Sequence, residues 1–257
     1  MERQLYLYRY LCSGMVEDRF KSIDDILDLA ETLPDVSTAE ELSYLLKQLT
    51  KRGNSKLANY ILIFNMGTAK NCPNMGTERC QASDGDDCYA ARDEKRYPHT
   101  TPQYRDKQQL LWDSVTGEMF ANAILHILDR SRSNTEYLRF NESGDFRHKA
   151  DMERAETVAR ILKEEAGITV YTYTASSFLD FSETEYLTVN ASNPEVEGAD
   201  NYFNVTDTRL DTDASEYETL PEEGIPNGAF ECPGECGPCR ACMHKGGTDV
   251  IYEELRV

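Results

Sequence analysis

Seven of the eight cysteines fall into two groups, Cys72, Cys80 and Cys88, then Cys232, Cys236, Cys239 and Cys242. Their spacing constrains the backbone in both places. The eight-residue step between cysteines of the first group covers about 12 Å as helix and about 26 Å as strand. Neither geometry lets three sulfurs meet, so a shared site requires a folded-back loop. Pro73-Asn74, Gly76 and Ser83-Asp84-Gly85-Asp86 supply the turns for one. The second group packs four thiols into residues 232–242, turned by Pro233, Gly234, Gly237 and Pro238. Soft thiolates gathered this way select zinc or iron–sulfur clusters over hard cations. Four thiolates close a coordination shell, whereas three leave a position open for chemistry.

The metal is not fixed by spacing alone. Cys232-x3-Cys236-x2-Cys239-x2-Cys242 reverses the ferredoxin-like order, and both one zinc ion and one four-iron cluster satisfy it. His244 is an alternative ligand there. The competing reading of the first group is three unrelated, partly buried cysteines. Cys12 stands apart and reads as a small core residue.

Composition narrows the partners. A formal net charge of −19, from 46 acidic against 27 basic residues, repels nucleic acid and anionic membranes at long range. No extended basic nucleic-acid surface is expected. Solubility and adaptation to high salt account for the acidity equally well. The start Met1-Glu2-Arg3-Gln4 has no apolar h-region, and the apolar run Tyr60 to Phe64 is too short to span a bilayer. The expectation is a cytoplasmic protein without membrane contact, in the host cytoplasm if the chain is viral. In such a reducing compartment clustered cysteines are metal ligands or reactive thiols rather than disulfides. Asn141-Glu-Ser, Asn190-Ala-Ser and Asn204-Val-Thr then match glycosylation sequons by chance.

Hydrophobic patterning predicts three parts. Residues 1–55 form a helical accessory segment, with capping boxes at Ser22-Ile-Asp-Asp25 and Ser37-Thr-Ala-Glu40 and a core stripe of Leu42, Leu45, Leu46 and Leu49. Residues 56–228 alternate strands and helices. Strands are expected at 59–65, 137–140, 168–174, 186–190 and 202–205, with one long helix over 103–130, another over 151–165 ending at Gly167, and an acidic, turn-rich stretch over 207–228. Residues 229–257 form a four-cysteine metal-binding segment packed on that domain, with a last strand at 250–252. This alternation implies a mostly parallel sheet with right-handed crossovers. About six strands and few helices after the third point to a partial or degenerate (β/α) barrel.

In such folds ligands bind where the C-terminal strand ends open. The polar residues after the strands should converge there: the three-cysteine loop, Asn141 to Asp145, Thr172 to Ser176, Asn190-Ala-Ser192 and Thr206-Asp207. Arg139-Phe140-Asn141-Glu142-Ser143-Gly144-Asp145-Phe146 is the richest of these runs. Its carboxylates, Glu142 and Asp145, are the candidate catalytic groups. Asn141, Ser143, Gly144, Thr172, Thr174 and Asn190 are the candidate cofactor contacts. The plainer alternative is an Asx-type turn capping the helix near 151. His99, His126, His148 and His244 form no recognisable pair with a cysteine, which weighs against thiol hydrolysis.

These pieces together resemble the phage "gene product 88" family. The matching features run in order: Asn54-Ser-Lys56-Leu57, Cys72-Pro73, Cys80, Cys88-Tyr89-Ala90, Arg139, Ser143-Gly144-Asp145-Phe146, Tyr171-Thr-Tyr-Thr174, Cys232-Pro233 and the last three cysteines. More distantly the chain is similar to radical S-adenosylmethionine enzymes, with a cysteine loop after the first strand and an aromatic residue beside its last cysteine. That similarity implies a [4Fe-4S] cluster on Cys72, Cys80 and Cys88, S-adenosylmethionine at its open iron, and Asn141 to Asp145 against cofactor or substrate. It implies a second [4Fe-4S] cluster or zinc on the other four cysteines. The spacing departs from those enzymes: x7 then x7 replaces x3 then x2, and no Gly-Gly-Glu-like motif is present. The function expected is a radical-type enzyme modifying a nucleoside, nucleic acid or metabolite. The alternative is a non-enzymatic, zinc- or cluster-stabilised interaction protein of viral origin.

Overall fold

The structure, a computed structural model, describes residues 39–80, 88–131, 134–192, 195–206, 230–234, 236–246 and 250–254. Cys12, the capping boxes at 22–25 and 37–40 (apart from residues 39 and 40), the turn at 83–86 and all of the 207–228 stretch lie outside these residues.

Helix α1 (Ala39–Leu49) carries the expected leucine stripe, and Leu42, Leu45, Leu46 and Leu49 are each buried. Strands β1 (Lys51–Arg52) and β2 (Ile61–Phe64) pair antiparallel. The parallel body then runs β2, β3 (Tyr137–Phe140), β4 (Thr169–Thr174), β5 (Leu187–Ala191), β6 (Asn201–Thr206) and β8 (Val250–Glu254), with β7 (Phe230–Glu231) parallel along β8. The six strands of that body coincide with those read from the sequence. The two-residue β1 and β7 were not anticipated, because two residues carry no periodicity.

Between β2 and β3 come α2 (Tyr89–Arg96), α3 (Thr101–Ser114) and α4 (Gly117–Asp129); α5 (Lys149–Ala166) joins β3 to β4. The single helix expected over 103–130 is therefore two. Val115 is extended (φ −122°, ψ 155°), and Thr116 restarts the chain as an N-cap whose side chain accepts from the Met119 amide. The break also permits close packing: a Cβ on Gly117 would come within 2.8 Å of the Arg154 carbonyl oxygen on α5. Gly167 ends α5 in the left-handed region (φ 70°), as expected of a C′ glycine.

Parallel strands alternate their side chains between two covered faces. Leu62, Phe64, Leu138, Phe140, Val170, Leu187 and Val189 join residues of α1, α3, α4 and α5 in the main core. At its centre Phe64, Trp112, Phe120 and Phe140 meet with ring centroids 4.9–6.3 Å apart. Each such buried side chain contributes roughly 2 kcal/mol. The opposite face holds Ile61, Ile63, Tyr137 and Tyr171, and Met243 from the four-cysteine segment covers it. Helices occupy one face and cysteine-bearing backbone the other.

Candidate functional site

The three-cysteine loop leaves β2 through a run of tight turns, with amides of Asn71, Cys72, Met75 and Thr77 each donating to the carbonyl three residues back. It is fastened to the sheet by one buried side chain. Asn74, with no exposed surface, donates from Nδ2 to Asp145 Oδ2 (2.8 Å) and Ser176 Oγ (2.9 Å). Asp145 also accepts from Thr174 Oγ1 (2.7 Å) and the amides of Ala175 (2.8 Å) and Phe146 (2.7 Å). Burial pushes this carboxyl up to about 6, against the pull of its hydrogen bonds. Through this network Asp145 ties the loop to the end of β4.

The loop delivers Cys72, Cys80 and Cys88 to the strand ends, all half-buried. Burial pushes the Cys72 thiol up to about 12, and Asp145, Cys80 and Cys88 add to the effect. Cys88 is the N-cap residue of α2. The hydroxyl of the next residue, Tyr89, donates to the Glu142 carbonyl. The Glu142 carboxylate in turn accepts from Asn54 Nδ2.

The turn after β3 is shaped by Asn141, in the left-handed region (φ 61°), and Gly144 (φ 75°). A Cβ on Gly144 would lie 2.8 Å from the Gly67 amide nitrogen, so glycine is required for the turn to lie against the β2 exit. The Ser143 amide donates to Asn65 Oδ1 (3.0 Å), locking the same two loops. Asn141 Nδ2 reaches Thr172 Oγ1 at 3.4 Å.

The four-cysteine segment lies over the other face. Helix α6 (Cys236–Cys239) starts with the Cys236 amide donating to the Lys56 carbonyl (3.2 Å) and leads into a 3-10 turn at Ala241–Met243. Asn190 Nδ2 donates to the carbonyls of Thr172 and Cys242 (2.9 Å each), and its Oδ1 accepts from Asn201 Nδ2 (3.0 Å). Asn201 also donates to the His244 carbonyl (3.1 Å). Tyr60 donates to the Gly237 carbonyl (2.6 Å), and the Arg240 guanidinium lies 4.7 Å from the Tyr60 ring centroid and pairs with Glu136 at 2.9 Å. Burial pushes Cys242 up to about 12, opposed by its hydrogen bond with Tyr173 and reinforced by Cys232, Cys236 and Cys239.

Each cysteine group is thus a set of electrostatic neighbours. Among the described residues, no three His, Cys, Asp or Glu side chains stand at metal-coordinating spacing. The donors themselves fit soft metals, and raised thiols of this kind ionise when a cation compensates them.

The predicted strand-end residues divide by role. Asn190 ties β4 to the four-cysteine segment, and Asn141 and Ser143 stand in the turn after β3, against Thr172 and Asn65. Thr174 and Asp145 hold the loop from beneath, Thr172 is buried at the Asn141 turn, Gly144 serves backbone packing, and Glu142 joins Tyr89 to Asn54. Sequence reading missed Asn74 and Asn201, whose side chains anchor the loop and the segment. It gave Arg139 and Tyr171 no site role. They are register partners on β3 and β4, facing the cysteine segment. Both strands are buried on their two faces, so no polar–apolar alternation marks which residues face the site.

Fold and site define an α/β protein whose mostly parallel sheet carries a three-cysteine loop at its strand ends and a four-cysteine segment on the face opposite its main helices. Residues 43–245 match the family model described as gene product 88, and the chain belongs to that family. No curated protein and no solved structure matches it. No helix among the described residues is long and apolar enough to cross a membrane.

Proposed function

We propose that this chain is an intracellular iron–sulfur enzyme of the radical S-adenosylmethionine type. In this reading Cys72, Cys80 and Cys88 hold a [4Fe-4S] cluster, and Cys232, Cys236, Cys239 and Cys242 hold a second cluster or a zinc ion. One observation carries it: a three-thiol loop is fastened by the buried Asn74–Asp145 pair to the C-terminal end of a sequentially ordered parallel sheet. Three thiols leave one iron position open. When bound, such a cluster supplies the electron that cleaves a sulfonium cofactor.

Support for a partial barrel comes from the order β2 to β6, in which every crossover steps the same way and the helices share one face. In this reading the chain's own residues place the thiols, through Asn74 and Asp145, and line the substrate side, through Arg139, Asn141, Ser143 and Tyr171. The substrate is a nucleoside, nucleic-acid component or metabolite reaching the strand ends.

A second reading, a structural metalloprotein that binds partners, is favoured by the four-cysteine segment. Short elements there are held to the sheet largely through main-chain carbonyls, as suits a metal staple. The test is anaerobic purification, iron and sulfide analysis, and assay of 5′-deoxyadenosine release from S-adenosylmethionine. Cluster-loaded protein that releases it, with Cys88→Ala inactive but folded, supports the enzyme. Stoichiometric zinc without sulfide supports the staple and refutes the enzyme.

A further inference from the structure

Among the described residues, the buried side-chain atoms without a hydrogen-bond partner include Arg139 Nε, Asn141 Oδ1, Ser143 Oγ and Tyr171 Oη, as well as Asn74 Oδ1 in the loop. Asn141, Ser143 and Tyr171 are 4%, 3% and 1% exposed. Buried polar atoms are paired in the great majority of cases, and an orphan costs roughly 1–3 kcal/mol. Arg139 and Tyr171 are register partners on neighbouring strands, and Asn141 and Ser143 stand in the turn that leaves the same strand β3, so the four mark a place where something else completes the bonding.

The atoms are of complementary kinds. Arg139 leans toward the C-terminal end of the sheet, its guanidinium 4.7 Å from the Tyr173 ring centroid. In a chain with 46 acidic residues, no carboxylate pairs with it among the described residues. The closest acidic influence is Glu142, whose carboxylate is engaged by Asn54. A half-buried guanidinium without a counter-ion calls for an anion, and its planar fork matches a carboxylate. Tyr171, the register partner of Arg139, sits near Arg139, Glu142 and the Cys236 and Cys242 thiols, on the side of the sheet that the four-cysteine segment covers. It adds a donor for the same anion. Asn141 Oδ1 and Ser143 Oγ, in the turn after β3, offer acceptors.

We propose that this floor binds the carboxylate of a small amino or hydroxy acid, with Arg139 and Tyr171 on the carboxylate and Asn141 and Ser143 on the adjacent ammonium or hydroxyl. The inference rests on the reading above only in taking that acid as the substrate; the binding itself draws on no metal. It narrows the substrate class from any metabolite to one with an acid terminus.

The test is ligand-observed NMR at fixed ionic strength with glycolate, L-alanine, acetate, methylamine and inorganic phosphate, iron being measured on the same samples. Glycolate or L-alanine should bind saturably and at least tenfold more tightly than acetate or methylamine. Arg139→Gln should weaken that binding at least tenfold. Tyr171→Phe and Ser143→Ala remove atoms that no protein group uses, so both should bind more weakly while melting no lower than the parent. Equal binding of acetate would overturn the paired recognition, and preference for phosphate would overturn the carboxylate. No saturable binding by any probe, or unchanged binding in Tyr171→Phe and Arg139→Gln, would overturn the site. Binding without iron would refute the cluster and leave the acid site standing; iron without binding would do the reverse.

Discussion

The two cysteine groups are held in opposite ways. The three-cysteine loop hangs from a buried side-chain network, in which Asn74 and the carboxylate of Asp145 satisfy one another and the end of β4. The four-cysteine segment has a four-residue helix and a three-residue 3-10 turn, tied mostly by its carbonyls to Tyr60, Asn190 and Asn201. In the first, the described stretch from residue 71 to 77 is held by its own tight turns and by Asn74. Elements as short as those of the second do not hold themselves together, and a metal there contributes folding free energy directly. In the proposed reading, the open site gains from a rigid frame and the closed site helps to supply it.

The sharpest way to break this contrast is Asp145→Ala. It would strand four buried donors, so a loss of about 4 kcal/mol or more in urea unfolding is expected. A cost below about 1 kcal/mol would mean the loop is not held from beneath. Next comes Cys242→Ala or chelation. Amide exchange should accelerate through 232–246 while the helical core around Trp112 and Phe120 keeps its protection; uniform loosening would contradict the division. Because Cys72 and Cys242 are both pushed up to about 12, their thiols are protonated at neutral pH without metal. Metal uptake must therefore release protons, and apparent affinity should rise with pH by up to about tenfold per unit for each proton displaced. Titration in buffers of different ionisation enthalpy counts them. Asn201→Ala removes one tie to the segment and should cost about 1 kcal/mol, confined to the same residues. Smallest is Cys88→Ala: its side chain makes no cap hydrogen bond to α2, so stability should stay within about 1 kcal/mol while iron binding falls.

Much of the frame was legible because buried strands and amphipathic helices write their period into the chain. All six strands of the parallel body, α5 with its Gly167 end, and the leucine face of α1 follow from pattern alone. The break between α3 and α4 was not, since Leu111, Val115, Met119 and Ala123 keep helical spacing across it. Thr116-Gly117 held the signal, an N-cap followed by a residue with no side chain to crowd α5. At the site, the polar strand ends were readable, but the contacts each side chain makes were not. The hydrogen bonds by which Asp145, a candidate catalytic acid, also ties the loop to β4 carry no mark in the sequence. Whether a strand residue such as Arg139 faces helix or ligand depends on what covers each face, which neighbours in sequence do not reveal.

The central claim is that the two cysteine groups hold metal–sulfur centres of different kinds of importance. The direct test is iron, acid-labile sulfide and zinc content of anaerobically purified protein, measured beside Cys88→Ala and Cys242→Ala. The account predicts matched iron and sulfide in the parent. It predicts loss of the first centre without unfolding in Cys88→Ala, and loss of the ordered C-terminal segment in Cys242→Ala. Parent protein with no bound metal and all its thiols free to titrate would contradict it.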